Sequence, residues 1–283
     1  QGMHRYAMPS LVTGMGSIPT SVVSQGYLTM LPDVYFRTGQ SHSDMLEAVD
    51  RGEGREALAF YEQEAVDLER RGHKLEAVKA HRAAAFVAPR VGAYQKSIRA
   101  GLRGLELLKQ EHQTQEILAL QLSLYVTLGG SYRRVGDLRE ARRYFEEGLE
   151  IARSFPKVRR GLTWTASLSR SLAGVAYSQG DYAVALEQGL EAIRLLEDRL
   201  RVTRPDRIRF NTRRHLAQTY ILVATVQRHR GSLDEADTYS LRTLEIAKEL
   251  HLQEIEAQAI AGLGWVALAR KNHPEALERF QSA

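Results

Sequence analysis

The sequence predicts an all-α fold, a right-handed α-solenoid of about six antiparallel helical hairpins, on three observations. A turn residue recurs at Gly52, Gly92, Gly136, Gly180, Gly231 and Lys271, at intervals of 40 to 51 residues. Five places after each turn stands a small residue: Ala57, Ser97, Ala141, Ala185, Ala236 and Ala276. Between the turns Ala, Leu, Glu and Arg dominate, which favours helix and leaves no room for a sheet. A unit of this period cannot bury its apolar face alone and must stack on copies of itself.

The elements follow in order. Gln1-Gly2-Met3 reads as the remainder of an affinity-tag cleavage site before an initiator methionine, and residues 1–2 are set aside. Residues 1–40 form an N-terminal arm or cap, without charge from Ala7 to Pro32 but broken by Pro9, Pro19 and three glycines. Those breaks exclude a membrane-spanning helix there, and no secretory signal pattern is present. The arm is read either as a cap on the first repeat or as an apolar strip (Val22, Val23, Tyr27, Leu28, Met30, Leu31) that lies in a groove of this or a neighbouring molecule.

Paired helices come next. The first members are expected at 41–51, 73–88, 113–135, 158–179, 205–230 and 252–270, the second at 54–71, 93–110, 137–154, 181–200, 232–250 and 273–283. Asp44 with Glu47 suits a capping box. Gly136-Asp137 and Gly180-Asp181 each supply a glycine stop and then an aspartate N-cap. The chain stops at Ala283 inside an expected helix, which reads as a truncated last repeat with further sequence expected beyond it.

The run Leu128-Gly129, Tyr132, Gly136-Asp137-Leu138, Ala141, Phe145 and Leu149 resembles the tetratricopeptide repeat, and residues 166–193, 217–244 and 257–283 repeat it. The resemblance divides the chain into the arm (1–40), two degenerate repeats (41–112) and four repeats (113–283). The repeats are longer than the 34-residue form and are closer to those of kinesin light chains and bacterial regulators. Close packing explains the pattern: Gly129, Ala173, Ala224 and Gly264 are expected to face Ala141, Ala185, Ala236 and Ala276, small against small, with Tyr132, Phe145 and Phe280 filling space between helices.

The resemblance implies a non-enzymatic scaffold that binds proteins or peptides along a concave wall built from the first helix of each pair. Its lining positions select Lys79, Arg82 and Phe86, then Val126, Gly130 and Arg133, then Arg170, Gly174 and Tyr177, then Gln218, Ile221, Thr225 and Arg228, then Gln258, Ala261, Trp265 and Leu268. Arginines and aromatics are present there without one carboxylate, which points to an acidic or amphipathic partner segment. The bland alternative is a solvated arginine surface with Tyr177 and Trp265 in the core.

The formal charge of +5 leans towards acidic partners. Arg159, Arg160, Arg201, Arg204, Arg207 and Arg214 mark connections that would stack as a basic edge, and nucleic-acid phosphate is the rival ligand for it. No nucleic-acid motif accompanies that edge, and a solvated surface is the other reading. A third reading is the sensory or autoinhibitory part of a larger protein. Self-association through the arm or the last hairpin also stays open.

Without cysteine there is no thiol chemistry or disulfide, compatible with a cytoplasmic setting. The segment Thr13–Thr20 lacks the lysine and final glycine of a phosphate loop. Ser41, His42 and Asp44 are too close in sequence to form a relay. The nine histidines show no metal-binding spacing, so no cofactor and no metal is expected.

Overall fold

The computed structural model describes residues 52–109, 111–154, 161–202 and 206–283. Within them run eleven α-helices: α1 (Gly54–Arg70), α2 (Lys74–Val87), α3 (Tyr94–Leu108), α4 (Gln115–Arg134), α5 (Leu138–Ser154), α6 (Gly161–Ser178), α7 (Tyr182–Val202), α8 (Asp206–His229), α9 (Leu233–Glu249), α10 (Gln253–Ala269) and α11 (His273–Ser282). There is no strand among the described residues. The arm at 1–40, the helix expected at 41–51 and the Asp44–Glu47 box lie outside them. The other expected helices all form, with ends within a few residues of expectation.

Every helix packs on the one before it, giving the hairpins α2/α3, α4/α5, α6/α7, α8/α9 and α10/α11. The first members α2, α4, α6, α8 and α10 also touch one another in succession, and the second members make no comparable contact. Helices whose repeats touch lie at the smaller radius of a bent stack. The first members therefore line the concave side, as in an α-solenoid.

One turn design recurs. The N–H of Asp137 bonds back to the carbonyl of Tyr132 at 3.0 Å and that of Gly136 to Arg133 at 3.2 Å; Asp181 and Gly180 repeat this onto Ala176 and Tyr177. This double bond closes a helix only if the residue past its end takes the left-handed conformation. Gly136 (φ +88°) and Gly180 (φ +79°) do so freely, whereas Lys271 takes the same role at φ +62°. The next helix then starts on a side-chain cap: Asp137 Oδ1 accepts from Glu140 N and Asp181 Oδ1 from Val184 N, each at 3.1 Å. After α2 the chain passes into a 3₁₀ turn (Ala88–Val91), because Pro89 has no N–H with which to continue the α-helix.

The packing of small residues departs from expectation. A Cβ placed on Gly129 would lie 2.7 Å from Phe145 Cζ, and one on Gly264 would lie 2.9 Å from Phe280 Cε1. These glycines are therefore sockets for a ring four places beyond the small residue of the partner helix, and small does not simply face small. Where the first helix carries Ala85, Ala173 or Ala224, that partner position holds Gly101, Gly189 or Ser240. The space at Gly101 and Gly189 is then taken by the next hairpin, with Leu128 at 2.8 Å and Val223 at 2.7 Å from where a Cβ would stand. Volume is conserved either inside a hairpin or across to its neighbour, as dense packing requires. The residues Ala141, Ala185, Ala236 and Ala276 are themselves buried, and Ser97 donates to Ala85 O at 2.7 Å.

Candidate functional site: a cationic concave wall

The lining residues come from successive turns of the first-layer helices, so the same face of each helix points inward. Two hollows open on this wall. The larger, about 400 Å³, is lined from α2 by Arg82 and Phe86, from α4 by Ser123, Val126, Gly130, Arg133 and Arg134, from α6 by Trp164 and Ser167, and from α8 by His215. The smaller, about 270 Å³, lies between α8, α9 and α10, with Arg228, Thr225, Gln258 and Trp265 in its lining.

The structure brings together Arg82, Phe86 and Arg133 in the first hollow, and Arg228 and Trp265 in the second. Arg82 is 1% exposed, and none of its three guanidinium nitrogens has a hydrogen-bond partner. Burial pulls its pKa down to about 10, partly offset by Tyr61, so it is still charged at neutral pH. Arg133 is lowered by burial and then by the like charges of Arg134 and Arg170. Phe86 lies under Arg90, whose guanidinium carbon is 3.6 Å from the ring centre. Trp265 is 48% exposed and not a core residue; it meets Phe280 edge-on at 5.0 Å, with Arg228 at 5.7 Å over its ring.

Val126 and Gly130 also line the first hollow and Ile221, Thr225, Gln258 and Ala261 the second, whereas Lys79, Arg170, Tyr177 and Gln218 enter neither. Lys79 pairs with Glu116 at 2.6 Å, so the wall does carry one compensating acid, contributed by the first turn of α4 at a position outside the lining set. Arg170 is half-buried and acts on Arg133 and His215 through its charge. Tyr177 belongs to an aromatic cluster with Tyr182 and His229, whose Nε2 lies 3.0 Å from Tyr177 Oη and accepts from Arg228 Nη2 at 3.0 Å. Gln218 is half-buried, its Oε1 without a partner.

Of the expected basic edge, the side chains of Arg201 and Arg214 are described. Arg214 is 9% exposed, turned into the stack beside His215, which corrects its place on an outer edge. Arg201 is exposed but shares Asp198 at 3.3 Å, and the neighbouring Arg213 pairs with Glu249. Arg159, Arg160, Arg204 and the side chain of Arg207 lie outside the described residues.

Ser123, Arg134, Trp164, Ser167 and His215 also line the first hollow and were not among the expected residues. Trp164 and His215 lie one helical turn before Ser167 and Gln218 respectively. The signal was the extra length of these helices, which carries the inward face one turn further. His215 is 8% exposed, and burial first, then Arg170, Arg214 and Arg199, push its pKa down to about 3. It is a neutral ring at neutral pH.

Chemically the wall can hold anions. Among the described residues no carboxylate lines the first hollow, and no group of three or more His, Asp or Glu is placed to bind a metal. No helix of the described residues is long and apolar enough to cross a membrane.

A stack of antiparallel hairpins with a lined inner wall is the architecture of an interaction solenoid. The model of the tetratricopeptide repeat matches residues 120–198 and 215–283, more than half of the sequence, and the chain belongs to that family. Proteins of this family bind proteins or peptides. No curated protein matches the sequence. Among solved structures, BtubC (BKLC) from P. vanneervenii is similar at TM-score 0.64 and 17% identity, covering 83% of this chain and 89% of its own. The apo form of RapI follows at 0.59 and 15%, covering 72% and 68%. A putative kinesin light chain with TPR-like repeats from Podosopora anserina stands at 0.51 and 17%, covering 72% and 92%. At such identities these likenesses show the shared fold.

Proposed function

We propose that the protein is a non-enzymatic scaffold whose concave wall binds an acidic, amphipathic segment of a partner protein. The observation that carries this reading is the pairing of cationic and apolar groups on one wall: Arg82 and Arg133 with Phe86 and Trp164 in one hollow, Arg228 with the exposed Trp265 in the other. Arginine grips carboxylates with two parallel bonds, and aromatic side chains anchor interfaces. Arg170, Tyr177 and Gln218 lie on the same first-layer helices and complete the surface the segment would follow; Lys79, tied to Glu116, contributes less. The nucleic-acid reading loses support from the burial of Arg214 and the pairing of Arg201.

The test is binding of a panel of acidic peptides carrying Leu or Phe anchors, read by fluorescence anisotropy. Arg133→Glu, Arg170→Glu and Arg228→Glu together should abolish binding while the helical circular-dichroism signal is unchanged. Unaltered affinity in that triple variant would remove the proposal.

A further inference from the structure

The isolation of Arg82 is left unexplained by a peptide lying along the wall. A guanidinium keeps its proton under any physiological condition, and an uncompensated buried cation is among the costliest arrangements in a folded protein. Arg82 is 1% exposed, all three of its side-chain nitrogens lack partners, and it lines the larger hollow beside Arg133. Arg133 in turn is crowded by Arg134 and Arg170. Phe86, Val126 and Trp164 supply apolar walls between the charged groups. A hollow of about 400 Å³ falls in the range of small-molecule sites, which are mostly apolar with a few convergent polar groups.

We infer that this hollow is a binding site for a small organic oxyanion, its phosphate or carboxylate held by Arg133 and drawn by the uncompensated charge of Arg82 beneath, its apolar body against Phe86 and Trp164. A small molecule is favoured over a peptide side chain because the unpaired cation lies beneath the surface of the hollow: its counter-charge has to sit deep in the hollow rather than rest on the wall. The lining comes from α2, α4, α6 and α8, so one occupant would join four successive first-layer helices. The site would then set the curvature of the wall on which a partner protein rests. The inference stands apart from the peptide reading, since neither needs the other.

Thermal unfolding of the full chain, titrated at constant ionic strength with phenyl phosphate, inorganic phosphate or an acidic peptide against sodium chloride, tests it. Phenyl phosphate should raise Tm saturably and bind more tightly than inorganic phosphate. Arg82→Met, which keeps the volume and removes the charge, should unfold at a higher temperature without ligand and bind phenyl phosphate at least tenfold more weakly. Arg133→Gln, at the more exposed rim, provides a second variant with the same loss should Arg82→Met fail to fold. No response of the wild type, an equal response in the Arg variants, or equal affinity for the two phosphates overturns the inference. Stabilisation by the peptide alone also overturns it and assigns the hollow to a side chain. Arg228→Glu, outside this hollow, separates the two readings: it should weaken peptide binding and leave phenyl phosphate unaffected.

Discussion

The ring of Phe145 fills the space into which a side chain on Gly129 would project, 2.7 Å from Cζ to the position of a Cβ. The two residues sit on the paired helices α4 and α5, and together they set how closely that hairpin closes. Gly129→Ala forces the ring aside in a packed core and should cost ~1–3 kcal/mol. Phe145→Ser alone should cost ~3–5 kcal/mol through the cavity it leaves. In the double variant the two losses should fall short of their sum by ~0.5–3 kcal/mol, because the clash has vanished with the ring. Urea unfolding of the four proteins measures this, and strict additivity would deny the socket.

Lys271 occupies the turn position that glycine holds elsewhere, at φ +62°. A left-handed residue with a Cβ carries ~1–2 kcal/mol of strain, and glycine returns part of that gain as chain entropy. Lys271→Gly should therefore stabilise by ~0.5–1 kcal/mol. Gly231→Ala, at φ +82° in the preceding repeat, should destabilise by about 1 kcal/mol. Opposite shifts of the denaturation midpoint are the expected result.

His215 gives the fold a sensitivity to acid. Its folded pKa is near 3, against 6.5 for the free side chain, so the unfolded chain takes up a proton that the fold refuses. The associated stability is complete above pH 6.5 and is lost as pH falls towards 3, by up to ~1.4 kcal/mol per unit. Between pH 7 and 4.5 the wild type should lose ~2 kcal/mol more than His215→Gln. Parallel pH profiles in the two proteins would contradict the burial of a neutral ring.

The caps on α5 and α7 offer a local test. Asp137 and Asp181 each accept one backbone N–H at 3.1 Å. Their replacement by alanine should cost ~1 kcal/mol apiece and act additively, since the two sites share no partner. Thermal melts of the single and double variants supply the measurement.

Much of the architecture was legible because turns act locally: glycine at a left-handed position and aspartate at an N-cap announce themselves within a few residues. What faces Gly129 was not legible, since a small residue states only that something approaches closely. The ring of Phe145 fills that space at Gly129, whereas at Gly101 and Gly189 the neighbours are Leu128 and Val223 of the next hairpin. On the wall, position within the repeat selected Arg82, Phe86, Arg133, Arg228 and Trp265, which line the two hollows. It could not foresee that Lys79 would be tied to Glu116, because the acid comes from a neighbouring helix. The placement of Arg214 on an outer edge was corrected for a related reason: it stands on a helix longer than the standard unit and is buried in the stack. Trp164 and His215 escaped notice on the same account.

The interlock of Gly129 with Phe145, set against that of Gly101 with Leu128, bears on how such a chain can be rearranged. Hairpins of the first kind are self-contained, whereas those of the second borrow bulk from the following unit. Modules are therefore not freely exchangeable. A graft or deletion that leaves a borrowing hairpin without its lender opens a void, and one that sets a lender beside a self-contained hairpin creates a collision. Compatible joints are legible from the residue seven places before each turn.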